Sequence, residues 1–162
     1  GCSAGGTLTA QIIPWFIEKD LPLPGAIGIF CSGAMGTFWF GGDSGSVSSL
    51  LNGTVPISRE DSAAQSRNYF GDLDVNTPTI TPGLFPDTLA QFPPTLVVTG
   101  TRDIAMSNAL VTHTELLKAG VDAELFVQEG LGHGHFFLFP GTEEAATAYS
   151  VIWNFFDRRL SN

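Results

Sequence analysis

The alternation of short apolar segments with longer amphipathic ones constrains this fold more than any other feature of the sequence. The short segments are bounded by Pro, Gly or Ser, which is typical of strands buried on both faces. They comprise residues 25–30, 95–100 and 123–128. Helical periodicity precedes, separates and follows them. Because strands that alternate with helices pair in parallel, we expect an α/β fold, a mostly parallel sheet with helices on both faces.

Three helices are expected where apolar residues recur at helical spacing. The first covers about residues 4–19, although Pro14 removes an interior hydrogen bond and should kink or end it. The second covers residues 108–119 with Ser107 as its N-cap, and Thr142 can cap the last. The residues expected to share a face are Leu8, Ile12, Trp15 and Phe16 in the first helix, Leu110, Thr114 and Leu117 in the second, and Tyr149, Ile152, Trp153 and Phe156 in the last.

The segment between the first two strands carries little regular pattern. Residues 33–94 are rich in Gly, Ser, Thr, Asn and Pro, so we expect mostly irregular structure with short helices near residues 46–51 and 59–69. The sequence has no fixed repeat, low-complexity tract or charge block. We therefore expect one domain without a linker.

Composition excludes several classes of function. The chain has 162 residues, of which 43% are hydrophobic, and a formal charge of −9 that would repel a phosphate backbone, so no nucleic-acid partner is expected. Residues 26–40 are too short and too rich in glycine to span a membrane. Two cysteines, Cys2 and Cys31, are too few for a disulfide framework, and no signal peptide is visible. We expect a reducing compartment such as the cytoplasm.

A short motif at the start of the chain indicates a nucleophile. Gly1-Cys2-Ser3-Ala4-Gly5 matches G-x-S-x-G and runs directly into a helical pattern. A nucleophilic serine must project from a tight strand-to-helix turn, where side chains at the flanking glycines would collide with backbone. The competing interpretation is a glycine-rich tail. A second motif, Gly42-Asp43-Ser44-Gly45, resembles the serine neighbourhood of trypsin-like proteases, but no histidine precedes it, so we interpret it as a turn.

An acid and a base follow the serine in the order that α/β-hydrolases use. Asp103 lies three residues beyond Gly100, at the carboxyl edge expected of the sheet, although an aspartate there is also a common turn former. The other aspartates fall in irregular, opposite-edge or helical positions. His113 lies within a predicted helix, whereas His133 and His135 share the loop after residues 123–128. Two residues apart in extended chain they point in opposite directions, so one of them can face Ser3.

Three motifs in this order resemble the hormone-sensitive-lipase-like branch of α/β-hydrolases, mostly bacterial carboxylesterases. Residues 1–6, GCSAGG, are similar to the branch's G-D-S-A-G-G, with Cys2 where Asp is usual. Residues 93–103, PPTLVVTGTRD, resemble its strand-to-acid segment, and residues 129–134, EGLGHG, resemble its E-G-M-x-H-G. The resemblance implies an α/β-hydrolase fold, and it selects His133 over His135 as the base.

The resemblance implies a serine carboxylesterase with Ser3, Asp103 and His133 as a catalytic triad acting on small esters of short to medium acyl length. The Ala4 N–H would donate to the oxyanion, and neither a metal nor a cofactor is expected. Rival hypotheses are a non-catalytic fragment or binding protein on the same scaffold, and an amidase or peptidase of the same fold.

The resemblance covers only the carboxyl-terminal half of the branch's domain, so residues 1–162 are expected to be that part of a single domain. The branch's HGG(G) oxyanion loop lies upstream of the serine and does not occur in this sequence. We therefore expect an amino-terminal half supplied elsewhere, or association of the chain with copies of itself through apolar surface.

Overall fold

A computed structural model of the chain describes residues 1–36, 43–51, 53–54 and 67–160. Its strands are β1 (Ile27–Phe30), β2 (Thr95–Gly100) and β3 (Ala123–Gln128). Its helices are α1 (Ala4–Glu18), α2 (Asp43–Leu51), α3 (Pro86–Leu89), α4 (Met106–Lys118), α5 (His135–Leu138) and α6 (Glu143–Leu160), with a 3-10 turn at Pro82–Leu84. Residues 67–70 are also helical.

The strands form a parallel sheet in the order β1-β2-β3. Thr95 is aligned with Ile27 on one side and with Ala123 on the other. Cys2 adds a further parallel bridge to Phe30, so the residues just before Ser3 lie beside β1. The expected parallel sheet is confirmed. The bounds of β2 and β3 are those predicted, whereas β1 begins at Ile27, later than expected.

Side chains of the sheet pack into a core on each face, as successive residues of a strand must. On one face Val97 and Ile29 pack with α1 and α4, and on the other Leu96 and Val98 pack with α5 and α6. The helix residues of the first core include Ala10, Ile13, Ala109 and Leu116. Those of the second include Phe136, Ala148, Ile152 and Phe155. The sheet is therefore a middle layer between helices, as predicted.

The buried face of α1 differs from the one predicted. Leu8, Ile12 and Trp15 are exposed, and the residues that α1 buries are Gly6, Ala10, Ile13 and Pro14. Gly6 and Ala10 lie on the buried face because their small size lets the helix backbone approach the sheet closely. The helix continues past Pro14 to Glu18, so the predicted extent of about residues 4–19 is confirmed and Pro14 does not end the helix.

The start and the buried face of the second predicted helix, α4, also differ from those predicted. It begins at Met106, with Ala105 rather than Ser107 at the N-cap position. Of the predicted face, Leu117 and Thr114 are exposed, while the buried residues are Asn108, Ala109, Thr112 and Leu116. The polar members of this set are satisfied by hydrogen bonds: Thr112 Oγ1 accepts from the Ala34 N–H, and Asn108 Nδ2 donates to the Gly36 carbonyl.

The last helix follows its predicted start. Thr142 Oγ1 accepts a hydrogen bond from the Ala145 N–H at 3.2 Å, which is the expected cap. Ile152 is buried and Tyr149 and Phe156 are half-buried, whereas Trp153 is exposed. Three of the four residues predicted to share a face of this helix therefore pack towards the core, and the fourth does not.

The region between β1 and β2 contains α2 over the residues predicted as helical near 46–51. Asp43, Ser44 and Gly45 form its first turn, so the interpretation of this motif as a simple turn is wrong. Gly42 and most of the helix predicted over 59–69 lie outside the described residues. In the part of the chain that is described, no helix is long and apolar enough to cross a membrane.

Candidate active site

Ser3 lies at a sharp turn between the bridge at Cys2 and the first residue of α1. Its backbone has φ 56° and ψ −122°, a strained conformation for a residue with a side chain. The Ser3 N–H donates to the Phe30 carbonyl at 2.8 Å, which fixes the turn against β1. A Cβ on Gly6 would lie 2.8 Å from that same carbonyl oxygen, so the close approach of helix and strand requires glycine there.

Asp103 lies in the turn that follows β2 and is fully buried. Its Oδ2 accepts from Thr99 Oγ1 at 3.0 Å, and its Oδ1 accepts from the Ala105 N–H at 2.8 Å. A buried carboxylate is costly unless hydrogen bonds satisfy it, and these two donors also fix its orientation.

His133 lies in the loop after β3, which is tied to the turn that carries Asp103. The Gly130 N–H donates to Thr101 Oγ1 at 2.7 Å, and the Arg102 N–H donates to the Leu131 carbonyl at 3.0 Å. A Cβ on Gly100 would collide with that carbonyl. The loops that carry His133 and Asp103 are therefore held together by backbone contacts and by the Thr101 hydroxyl, close to both residues.

A continuous chain of hydrogen bonds joins the three predicted residues. His133 Nδ1 lies 2.7 Å from Asp103 Oδ1, and His133 Nε2 lies 2.7 Å from Ser3 Oγ. A carboxylate can only accept, so the proton belongs on Nδ1 and leaves Nε2 free to accept from the Ser3 hydroxyl. The hydrogen bond to Asp103 raises the pKa of His133, and burial of the imidazole opposes that rise.

The other two histidines lie elsewhere. His135 begins α5, with its Nε2 3.4 Å from Thr142 Oγ1 and its ring beside Phe139. His113 Nε2 lies 3.3 Å from the Ala123 carbonyl. The structure therefore brings His133, and neither of these, to Ser3.

The start of α1 offers a donor beside Ser3. Among the described residues, the Ala4 N–H finds no acceptor, and it lies at the positive end of the helix dipole. Within the same residues, no three His, Cys, Asp or Glu side chains come together as a metal site would require.

Sequence reasoning missed Thr99, Thr101 and Gly134 as parts of this site. Thr99 and Thr101 flank Gly100 at the end of β2, where two hydroxyls two residues apart could have indicated support for the acid. Gly134 has a φ of 65°, and its N–H donates to Cys31 Sγ at 3.3 Å. No local pattern predicts the contact with Cys31, because it joins residues far apart in sequence.

Solved structures with related folds match nearly the whole chain. The crystal structure of an esterase is 30% identical with a TM-score of 0.75, and the match covers 97% of this chain and 47% of that one. An esterase from the bacterial hormone-sensitive lipase family is 24% identical with a TM-score of 0.81, covering 97% and 51%. An esterase/lipase from an uncultured bacterium is 18% identical with a TM-score of 0.83, covering 100% and 52%. The chain thus spans about half the length of these proteins.

No curated protein matches the chain significantly. A family model described as the alpha/beta hydrolase fold matches residues 1–137, which is most of the chain. The parallel sheet, the turn at Ser3 and this match agree, and the chain belongs to the α/β-hydrolase family.

Proposed function

We propose that this chain carries the catalytic triad of a serine carboxylesterase of the hormone-sensitive-lipase-like branch, acting on esters of short to medium acyl length. The observation that carries the proposal is the hydrogen-bonded series from Ser3 Oγ through His133 to buried Asp103, with 2.7 Å at both contacts of the imidazole. The descriptions of the matched structures as esterases support the choice of substrate class.

The proposed reaction is acyl transfer through an acyl-serine. His133 Nε2 takes the hydroxyl proton as Ser3 Oγ attacks the ester carbonyl, and it returns that proton to the departing alcohol. Water then attacks the acyl-serine, again giving its proton to Nε2, and Ser3 leaves with that proton as the acid is released. Asp103 holds the ring in the required tautomer and stabilises the imidazolium.

The negative charge that develops on the carbonyl oxygen needs donors. We assign the Ala4 N–H to this role, because it lies beside Ser3 and has no acceptor among the described residues. Loss of one such donor typically costs about 3 kcal/mol of transition-state stabilisation.

We infer further that residues 1–162 form the carboxyl-terminal part of a single hydrolase domain, because the chain spans about half of the structures it matches. An amino-terminal half, supplied elsewhere, would complete the sheet and the oxyanion hole. The activity proposed here belongs to that complete protein.

The test is hydrolysis of short-chain p-nitrophenyl esters by the complete protein, with Ser3→Ala as the decisive variant. We expect Ser3→Ala to abolish turnover while leaving the circular dichroism spectrum unchanged. Exposed Ser150 provides the matched control, and Ser150→Ala should keep full activity. A fluorophosphonate should add to Ser3, seen as a mass shift on the tryptic peptide that ends at Lys19.

Turnover that survives Ser3→Ala, or a folded and complete protein without turnover, would refute the proposal. Rates on an ester and its matching anilide separate an esterase from an amidase of the same fold. A faster anilide would contradict the proposed substrate class.

A further inference from the structure

Two cysteine thiols, Cys2 and Cys31, lie near the turn at Ser3. Cys2 is aligned with Phe30 across the parallel bridge, and the Phe30 N–H donates to the Gly1 carbonyl at 2.9 Å. Neighbouring strands lie about 4.8 Å apart and advance about 3.3 Å per residue, so a residue one step along lies roughly 6 Å away. Cys31 is that residue, and disulfides commonly join Cα atoms about 4.4–6.8 Å apart.

The backbone of Cys31 turns its side chain towards Cys2. A residue that continued β1 would point to the face opposite Phe30, but Cys31 has a φ of 51° and leaves the strand. Its Sγ accepts from the Gly134 N–H at 3.3 Å, and Cys2 Sγ lies 3.7 Å from the place of a Cβ on Gly134. Both sulfur atoms thus lie against the residue that follows His133.

The environments of the two thiols suit different roles. Cys2 is half-buried, whereas Cys31 is buried. A hydrogen bond from Cys31 lowers the pKa of Cys2 to about 7, with a smaller contribution from His133, while burial opposes the change. The same hydrogen bond, together with burial, raises the pKa of Cys31. Near neutral pH a substantial fraction of Cys2 is the nucleophilic thiolate, while Cys31 remains protonated.

We propose that Cys2 and Cys31 form a peroxide-sensitive dithiol, a modification site beneath the turn that carries Ser3. The Cys2 thiolate attacks one oxygen of hydrogen peroxide, the O–O bond breaks, and sulfenic acid forms with release of hydroxide, which takes up a proton to become water. Cys31 sulfur then attacks Cys2 sulfur, the S–S bond forms, and the hydroxyl leaves with the Cys31 proton as a second water. Two thiols are oxidised as one peroxide is reduced.

Formation of this bond changes contacts of the candidate active site. A disulfide holds its sulfur atoms about 2.05 Å apart, so forming it moves Cys31 Sγ towards Cys2 and alters its hydrogen bond with the Gly134 N–H. Gly134 adjoins His133, and Cys2 adjoins Ser3. An effect of the disulfide on ester hydrolysis would rest on the proposed esterase function, whereas the dithiol itself does not.

The test treats the complete, reduced protein with hydrogen peroxide, alkylates the remaining thiols and digests with trypsin without reduction. Cys2 lies on the peptide that ends at Lys19, and Cys31 lies on the peptide of residues 20–59. We expect these two peptides to be linked, with the mass of two hydrogens lost, and to separate with dithiothreitol. Separate sulfinic acids, or a link between two copies of Cys2, would overturn the proposal.

Single variants keep the result interpretable. Cys31→Ser should leave a sulfenic acid on Cys2 that dimedone traps, and Cys2→Ser should leave Cys31 unoxidised because it is buried; circular dichroism checks that both fold. Oxidation of Cys31 in the second variant at the rate of the native dithiol would contradict the assigned roles.

Activity is a separate readout. Because displacements of about 1 Å near reacting groups can cost roughly 100-fold, we expect linking to lower ester hydrolysis by tenfold to 100-fold, with recovery in dithiothreitol. Full activity in the linked protein would refute the regulatory effect alone. No hydrolysis by reduced protein would refute the proposed function, while the linked peptide would still support the dithiol.

Discussion

Asp103 combines complete burial with three hydrogen bonds, from Thr99, Ala105 and His133. Two of these donors would hold the carboxylate whether or not His133 were present, so its orientation towards the imidazole is set before any substrate arrives. An amide at this position would still fit, with its oxygen towards the Ala105 N–H and His133 Nδ1 and its NH2 towards the Thr99 hydroxyl, but it would carry no negative charge to stabilise the imidazolium.

We therefore expect Asp103→Asn to lower kcat by roughly four orders of magnitude, the scale known for neutralising the aspartate of such a triad. Steady-state hydrolysis of a p-nitrophenyl ester measures this. Asp157→Asn makes the same change of charge at an exposed site and should leave kcat unchanged. Equal losses in the two variants would mean that net charge, and not the contact with His133, matters.

The raised pKa of His133 predicts the acid limb of the pH profile. Nε2 must be neutral to take the Ser3 proton, so kcat/KM should fall as the pH drops through a pKa above the ordinary 6.5. The favourable contribution of protonated His133 to stability is complete below its unfolded pKa, and it is lost as the pH rises through the folded pKa.

NMR titration of the imidazole in Ser3→Ala and in Ser3→Ala/Asp103→Asn isolates the cause. Because Asp103 makes the largest contribution, its neutralisation should lower the pKa of His133. A pKa that does not move would show that Asp103 is not what raises it.

At the scale of elements, the strands were predictable, whereas the buried faces of α1 and α4 were not. The run TLVVTG needs only its own residues and the preceding prolines to specify a buried strand, and β2 has the predicted bounds. Which side of α1 is buried depends on how closely the helix approaches the sheet. Gly6 and Ala10 are buried because they are small, although other residues of α1 are more apolar. The serine and acid motifs are local, whereas selecting His133 over His135 needed the family resemblance.

That close approach gives a stability prediction for α1. A Cβ on Gly6 would lie 2.8 Å from both the Phe30 carbonyl oxygen and Ser32 Cβ, so Gly6→Ala should lower the free energy of unfolding by about 1–3 kcal/mol. Gly5 lies in the same helical turn with nothing within 4 Å of an added Cβ. Gly5→Ala should therefore be neutral or stabilise by up to about 1 kcal/mol. Urea unfolding measures both, and an equal cost for the two would contradict the packing argument.

At the scale of the whole molecule, α1 presents exposed apolar side chains on its outward face. Leu8, Ile12 and Trp15 lie at helical spacing and are 55%, 45% and 44% exposed. Large apolar side chains that are exposed together on one helix face are typical of a surface that another part of a protein covers. This face of α1 is consistent with a chain that spans about half the length of the structures it matches.

This face of α1 predicts self-association of the 162-residue chain when it is studied alone. Burying a fully exposed leucine contributes about 1.5–3 kcal/mol, so covering two half-exposed side chains contributes roughly 2 kcal/mol. Leu8→Gln/Ile12→Gln should then weaken association tenfold or more, since each factor of ten corresponds to about 1.4 kcal/mol. Light scattering coupled to gel filtration would show the variant nearer its monomer mass of 17.2 kDa. Leu73 is exposed outside α1, and Leu73→Gln should leave association unchanged; if it dissociates the chain equally, general hydrophobicity and not the α1 face drives the contact.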